Sequence, residues 1–472
     1  MLFTSAKFFV LLGATLLACS MVRRSRRNLV LLAASYAFYG LWSVPYLQLL
    51  VAATLVAYGT ARWIDGSRTD AGRRHALLAG VLILMATLAV FKYSGVLSSL
   101  ALAAGTPDAA SVFSRIVMPL GISYYTFKLL SYVVDVYWGK LEAERDPIAF
   151  ALYPAFFPQI LSGPIQRADD FLSQIKRPIV SDPEFIKSGL RLMLFGYFKM
   201  RVVAELLAPI VNDTFAAPHQ YSSWAMLLGC YAFVFQLYAD FSGMTDVAIG
   251  AGRVLGIETP PNFNMPFAAS NIQVLWRRWH ITLTRWLADY VFLPLRMALR
   301  RWGTLGIAAA ITINFVAIGL WHAASWTFLA FGLLHALYMC LSVFTLSRRD
   351  AFFARHPTLA HARRMWAPLI TFQLWTVSEI FFRAESLRHA GEVLAKILAF
   401  DTGGLGSPAS LAWAIPAVAV MEVVHWIQAR QHGARILQAL PVGPRWCLYY
   451  ACLFTIMIFD QRGATGFIYV KF

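Results

Sequence analysis

"TLGIAAAITINFVAIGLWHAASWTFLAFGLLHALYMCLSVFTL", residues 304–346, contains no lysine, arginine, aspartate or glutamate. About 20 apolar residues in helical form cross the hydrocarbon core of a bilayer once. This stretch is long enough to go across and back, as a helical hairpin with its bend near "WHAASW" (321–326). One histidine, His322, stands at that bend between Trp321 and Trp326. Polar groups cost free energy in hydrocarbon, and ionisable residues at membrane depth usually face a cavity or a partner. His322 is therefore a candidate for chemistry as well as for packing.

The rest of the chain has the same character. Of its 472 residues 59% are hydrophobic and 14% charged, and mean hydropathy is +0.59. A soluble domain carries about 25% charged residues, so the balance points to a polytopic membrane protein. A net charge of +17 raises nucleic acid as a partner, but the basic residues form short clusters between apolar runs. That is the pattern of cytoplasmic loops facing anionic lipid, and no nucleic acid is expected. The five cysteines, Cys19, Cys230, Cys340, Cys447 and Cys452, show no metal-ligand spacing, and an odd number excludes a complete disulfide framework. No metal is expected.

Further apolar runs lie near 4–22, 28–43, 46–64, 76–94, 112–138, 189–211, 222–239, 366–383, 409–428 and 444–460. With the hairpin they predict an all-α integral membrane protein of roughly 10–13 transmembrane or re-entrant helices. We read 1–472 as a single domain. Basic loops at 23–27, 62–75 and 138–146 alternate with links near 43–45 and 94–111 that lack lysine and arginine. This alternation predicts an extracytoplasmic N-terminus and a first helix that is retained, since its "RRSRR" cluster follows the apolar run instead of preceding it.

The middle of the chain is different. "ALYPAFFPQILSGPIQRADDF" (151–171) is apolar but interrupted by Pro154, Pro158, Gly163 and Pro164, which argues against a straight spanning helix. "PPNFNMPF" (260–267) reads as a loop. "WRRWHITLTRWLADYVFLPLRMALRRW" (276–302) reads as an amphipathic helix at the cytoplasmic interface, with Arg277, His280 and Thr284 on one face. If 276–302 and the basic stretch 347–364 are both cytoplasmic, His322 lies far from that side and His280 near it.

Imidazole suits general-base work near neutral pH, and an arginine beside it suits the phosphate or carboxylate of a donor. His335 reads as a packing residue, and His425 as an intrahelical partner of Glu422 at i−3. His75, His356, His361, His389 and His432 lie in polar context. "QLYADFSGMTDVAIGAG" (236–252) reads as polar helix-to-helix glue with a glycine-mediated break, or as the lining of a tunnel. No P-loop, GxSxG elbow or GxGxxG is present. Soluble hydrolase, ATPase and Rossmann chemistry lose support.

Seven stretches occur together in one order: "MPLGISYYTFKLLSYVVDVYWG" (118–139), "FFPQILSGPIQR" (156–167), "YADFSGMTDVAIGAGRVLG" (238–256), "NFNMPFAASNIQVLWRRWHITLTRWLADYVFLPL" (262–295), "NFVAIGLWHAASWTFLAFGLLHA" (314–336), "FFRAESLRHA" (381–390) and "FIYVKF" (467–472). They resemble the membrane-bound O-acyltransferase (MBOAT) superfamily, in its branch acting on bacterial polysaccharides such as alginate. The resemblance implies a ring of transmembrane helices around a thinned core crossed by a tunnel. It implies transfer of an acetyl group from a cytoplasmic thioester, acetyl-CoA or another acyl donor, with no bound cofactor. The acceptor would be an extracytoplasmic polysaccharide, reached directly or through a periplasmic acetyltransferase partner. The location implied is the bacterial inner membrane.

The family's membrane-embedded histidine maps onto His322 and its second signature histidine onto His280, the two catalytic candidates. Arg277, Asp240, Ser242, Asn314 and Trp321 are the candidates for binding substrate or donor. Where the family motif commonly runs Trp-His-Gly, Ala323 follows His322 here. Other readings are D-alanyl transfer to teichoic acid, a transporter built on broken helices, and a non-catalytic scaffold for a periplasmic acetyltransferase.

Overall fold

The computed structural model describes residues 5–177, 182–403, 411–429 and 440–459. The motif at 467–472 and His432 lie outside the described residues. The described residues are helical, with no β-strand among them. In contact terms the chain divides into two units, Met1–Met193 with Met244–Pro261, and Leu194–Gly243 with Asn262–Phe472.

The first unit contains α1 (Ala6–Met21), α2 (Arg27–Gly40), α3 (Val44–Gly66), α4 (Asp70–Lys92), α5 (Ser94–Ala103), α6 (Pro107–Ser114), α7 (Ile122–Tyr137), α8 (Pro147–Ala155) and α9 (Ala168–Lys176). α10 (Pro183–Phe198) and α12 (Ser223–Val254) supply residues to both units. The second unit has α11 (Glu205–Ala216), α13 (Ile272–Trp276), α14 (Ile281–Leu287), α15 (Leu293–Ala298), α16 (Gly303–His322) and α17 (Trp326–Phe344). It continues with α18 (Leu346–Arg355), α19 (Pro357–Arg383), α20 (Leu387–Leu398), α21 (Leu411–Ala429) and α22 (Val442–Phe459).

Six segments among the described residues are long and apolar enough to cross a membrane: Val44–Gly66, Asp70–Lys92, Ser223–Val254, Arg300–His322, Trp326–Phe344 and Val442–Phe459. Shorter apolar helices include Ala6–Met21 and Ser94–Ala103. Several spans leave large apolar side chains uncovered, among them Leu55, Leu82, Leu305, Leu337 and Phe454. Water would oppose that exposure and lipid does not. The protein is a multi-pass membrane protein.

The interrupted stretch at 151–171 is not one helix. α8 starts on Asp146, whose side chain accepts from the amide of Ile148, with Pro147 at the first helical position. It ends one residue after Pro154, and the chain turns through 156–167 before α9 begins. This non-helical backbone is buried, so its polar groups must be satisfied internally. Side chains of the same unit do so. Ser35 Oγ accepts from the amide of Phe157 at 3.1 Å, and the Tyr153 hydroxyl donates to the carbonyl of Gln166 at 3.0 Å. Gln159 accepts from Lys128 Nζ at 2.6 Å and donates to Gln166 Oε1 at 2.6 Å and Thr259 Oγ1 at 2.9 Å. Gln166 in turn donates to the carbonyl of Glu258 at 2.9 Å.

Two sequence readings change. The glycines of 243–252 do not break α12, which is continuous from Ser223 to Val254. Gly243 allows close approach instead, since a Cβ there would stand 2.6 Å from the carbonyl oxygen of Gly196. Nor is 276–302 one helix: α13 ends at Trp276, and α14 begins at Ile281 and passes through a π-helical turn, Ala288–Phe292, into α15. The hairpin at 304–346 does form, as α16 and α17. Gly319 and Gly332 draw its arms together: a side chain on Gly332 would approach the carbonyl oxygen of Phe315 to 2.5 Å, and one on Gly319 would collide with that of Phe328.

Gly121, at the start of α7, has φ +70°, and a Cβ there would run into the carbonyl oxygen of Ile160. Gly121→Ala therefore combines left-handed strain with a backbone collision. We expect it to destabilise the purified protein by about 2 kcal/mol or more, read as a lower Tm in detergent. An unchanged Tm contradicts this packing.

Candidate active site

His280 precedes α14 with φ 40° and ψ 53°, a left-handed conformation unusual for a residue with a side chain. Such a conformation costs on the order of 1–3 kcal/mol and persists only where neighbours hold it. The loop at 262–268 does the holding. Asn262 accepts at its carbonyl oxygen from the amide of Ile281 at 2.8 Å. Its side-chain oxygen accepts from the amide of Thr282 at 3.2 Å and from the Thr282 hydroxyl at 2.6 Å. The amide of Asn264 donates to the carbonyl of Arg278 at 3.0 Å, and the Arg278 guanidinium donates to the carbonyl of Met265 at 3.3 Å. The turn so fixed sends the His280 ring inward, where it is 1% exposed and edge-on to Phe241 at 4.8 Å between centroids. His280 lies outside the six spanning segments. Burial pushes its imidazole down to about 3, with a backbone hydrogen bond opposing, so it is neutral at pH 7.

His322 is the last residue of α16 and is 7% exposed. α17 restarts after three residues, capped by Ser325, whose Oγ accepts from the amide of Phe328. Aromatic rings enclose the imidazole: Trp321 at 4.7 Å, Phe382 at 4.9 Å, Phe328 at 5.8 Å and Phe331 at 6.2 Å between centroids. Trp321 also lies edge-on to His280, at 6.2 Å.

The two histidines line one enclosed cavity of about 10 Å³, room for a water-sized group. α12 contributes Leu237, α13–α14 contribute Trp276, Trp279 and Leu283, α16 contributes Ile318, and α17 contributes Phe331. α19 contributes Trp375, Glu379 and Phe382. The wall is apolar and aromatic, with two imidazoles and one carboxyl as its titratable groups. Such a space excludes bulk water and strengthens any charge interaction inside it.

The match to known proteins bears on what this cavity serves. A model of "MBOAT, membrane-bound O-acyltransferase family" matches residues 142–382. That range includes both histidines and the whole cavity lining. The chain belongs to the membrane-bound O-acyltransferase family. The acyltransferase is 34% identical over 407 residues to a probable alginate O-acetylase of Azotobacter vinelandii, covering 85% of this chain and 78% of that protein. It is 31% identical over 394 residues to a peptidoglycan O-acetyltransferase of Helicobacter pylori, covering 78% and 73%. A teichoic acid D-alanyltransferase of Bacillus subtilis is 30% identical over 211 residues, 43% of this chain and 53% of that protein.

The other candidates fall outside the cavity lining. Arg277 is exposed, and because the helix breaks at 277–280 it does not share a helical face with His280. Asp240 and Ser242 are buried on α12 and are not among the residues that line the cavity. Asn314, Ile318 and His322 follow at four-residue spacing on α16, but only the last two reach the cavity. Trp321 is not part of the lining but lies edge-on to both imidazoles. His335 is a buried packing residue, its Nδ1 accepting from Trp276 Nε1 at 3.4 Å. His425 pairs with Glu422 at 3.5 Å, as their spacing implies. Glu379 is the titratable residue of the lining that sequence reasoning missed.

Replacing Asn262 by Ala removes the acceptor that holds the His280 turn and strands the buried amide of Thr282. The expected cost is about 1–2 kcal/mol of stability, measured by thermal unfolding in detergent, with Asn262→Asp retaining most of it. Equal stability of the Ala variant and the native protein would show that Asn262 does not hold the turn.

Proposed function

We propose that this acyltransferase moves an acetyl group from a cytoplasmic thioester donor, such as acetyl-CoA, to hydroxyls of an extracytoplasmic polysaccharide. The observation that carries this reading is the shared cavity: the two motif histidines, 42 positions apart by 322 − 280, meet in one narrow, mostly apolar space. The match to the alginate and peptidoglycan acetylating relatives over most of the chain favours acetyl transfer and a cell-envelope polymer. The much shorter match to the D-alanyltransferase favours D-alanyl transfer less.

In this mechanism His322 is the general base. A nitrogen of its imidazole takes the proton of an acceptor hydroxyl as that oxygen attacks the thioester carbonyl. An O–C bond forms, the C–S bond breaks, and the imidazolium returns the proton to the leaving sulfur. The ester and a free thiol are the products, and the histidine is regenerated. His280, neutral and fixed by its turn, positions the acyl group. Arg277 on the exposed side offers a guanidinium to phosphate or carboxylate groups of an arriving donor. The cavity as it stands holds no more than a water-sized group, so its aromatic lining must part to admit an acetyl group. The receiving hydroxyl belongs to the polymer itself or to a periplasmic partner. The protein sits in the bacterial inner membrane with its N-terminus on the periplasmic side.

His322→Ala should insert and fold yet transfer labelled acetyl groups about 10²–10⁴ times more slowly, measured in isolated membranes with labelled acetyl donor. Native-level acetylation of polymer by this variant would sink the assignment of the base.

A further inference from the structure

Glu379 has no part in the mechanism above, yet its surroundings set it apart. It is 1% exposed and on the face of α19 that presents Trp375, Glu379 and Phe382, spaced by four and three residues, to the histidine cavity. Its Oε2 is buried and has no hydrogen-bond partner among the described residues. The Nε1–H of Trp375, one turn earlier, is likewise buried without a partner among them. The ordinary explanation for a buried carboxyl, an ion pair along its own helix, fails here. Arg383, four residues on, donates to Asn212 at 3.2 Å instead, and the cavity lining contains no lysine or arginine.

A buried carboxyl is costly to ionise without a cation, and a positive charge made beside it favours the carboxylate. The groups in this cavity on which a positive charge can arise are the two imidazoles.

We propose that Glu379 is a positioning residue of the acyl-transfer site: its carboxylate orients the imidazole of His322, directly or through one water in the cavity, and stabilises the imidazolium formed during transfer. The proposal rests on the reading of His322 as the base. A space of about 10 Å³ suits one water, which would accept from Trp375 Nε1–H and donate to Glu379 Oε2. Glu379 exchanges no proton with the substrates. The proton passes from the acceptor hydroxyl to His322 and on to the leaving sulfur. The carboxylate acts on the imidazole and not on the donor, so its contribution belongs to kcat and not to donor binding.

The test compares Glu379→Gln, Glu379→Ala and His322→Ala in membranes, by labelled acetyl transfer across a range of pH. E379Q keeps the volume and loses the charge. It should lower kcat on the order of 10–100-fold, the usual effect of losing a group that orients a catalytic imidazole, with KM for the donor unchanged. Removing a negative neighbour makes the imidazole harder to protonate. The acid limb of the rate profile, where the base is lost to protonation, should therefore move to lower pH. E379A leaves a space that formate can enter, and added formate should restore part of the rate. Native kcat and an unmoved acid limb in E379Q overturn the proposal, as does a folded E379A that formate does not rescue. If both variants fail to accumulate in the membrane, Glu379 is structural and the proposal fails. An active His322→Ala instead brings down the reading of the base. An inactive H322A beside a native-like E379Q brings down this inference alone.

Discussion

A polar group removed from water has to find its partner inside the protein, and in a membrane the main chain is held to that rule as strictly as the side chains. Helices satisfy it automatically. Among the places where this chain abandons helix are the buried stretch 156–167 and the turn 277–280, which ends on the buried His280, and each of these two is matched by amide side chains that bond to the freed backbone or to one another. Gln159 and Gln166 serve the first, together with Ser35 and Tyr153. Asn262 serves the second. An amide can donate and accept at once, so one side chain closes two bonds without bringing a charge into the interior.

The second departure matters most for chemistry. A helix running unbroken through 272–287 would leave the direction of the His280 ring to helical periodicity alone. The left-handed turn sends it instead against Phe241 and Trp321. His322 is placed by different means, as the last residue of a helix whose neighbour approaches closely at Gly319 and Gly332. Residues from α12, α13–α14, α16, α17 and α19 then enclose both rings. Packing of this kind, close to crystal density, holds the two rings in defined directions. It leaves room for about one water beside the imidazoles, and a proton taken up there interacts strongly with whatever charge faces it.

Much of this could be read in advance. The hairpin and the basic loops follow from hydropathy and charge alone, because a bilayer imposes length and composition on whatever crosses it. The break after Pro154 follows from proline chemistry. His322 stood out as an ionisable group in an apolar run, and His280 through its motif. Glu379 did not stand out. With Arg383 four residues further along the same helix, it has the sequence signature of an ordinary surface ion pair. Arg277 misled in the opposite sense, since a helical wheel drawn through 276–302 places it beside His280 and gives no warning of the turn between them.

Composition and run length thus determined by themselves that this is an all-helical, multi-pass membrane protein, and the resemblance of its motifs marked it as an acyltransferase and showed which histidines deserve notice. These are properties of local segments in a fixed solvent, and they need no knowledge of what packs against what. Which polar residues share a cavity, and which of them are turned outward, only the tertiary structure decided. Leu237, His280, His322 and Glu379 are separated by 43, 42 and 57 positions, by 280 − 237, 322 − 280 and 379 − 322. They meet only because a left-handed turn, a glycine-packed hairpin and one face of α19 converge on the same space.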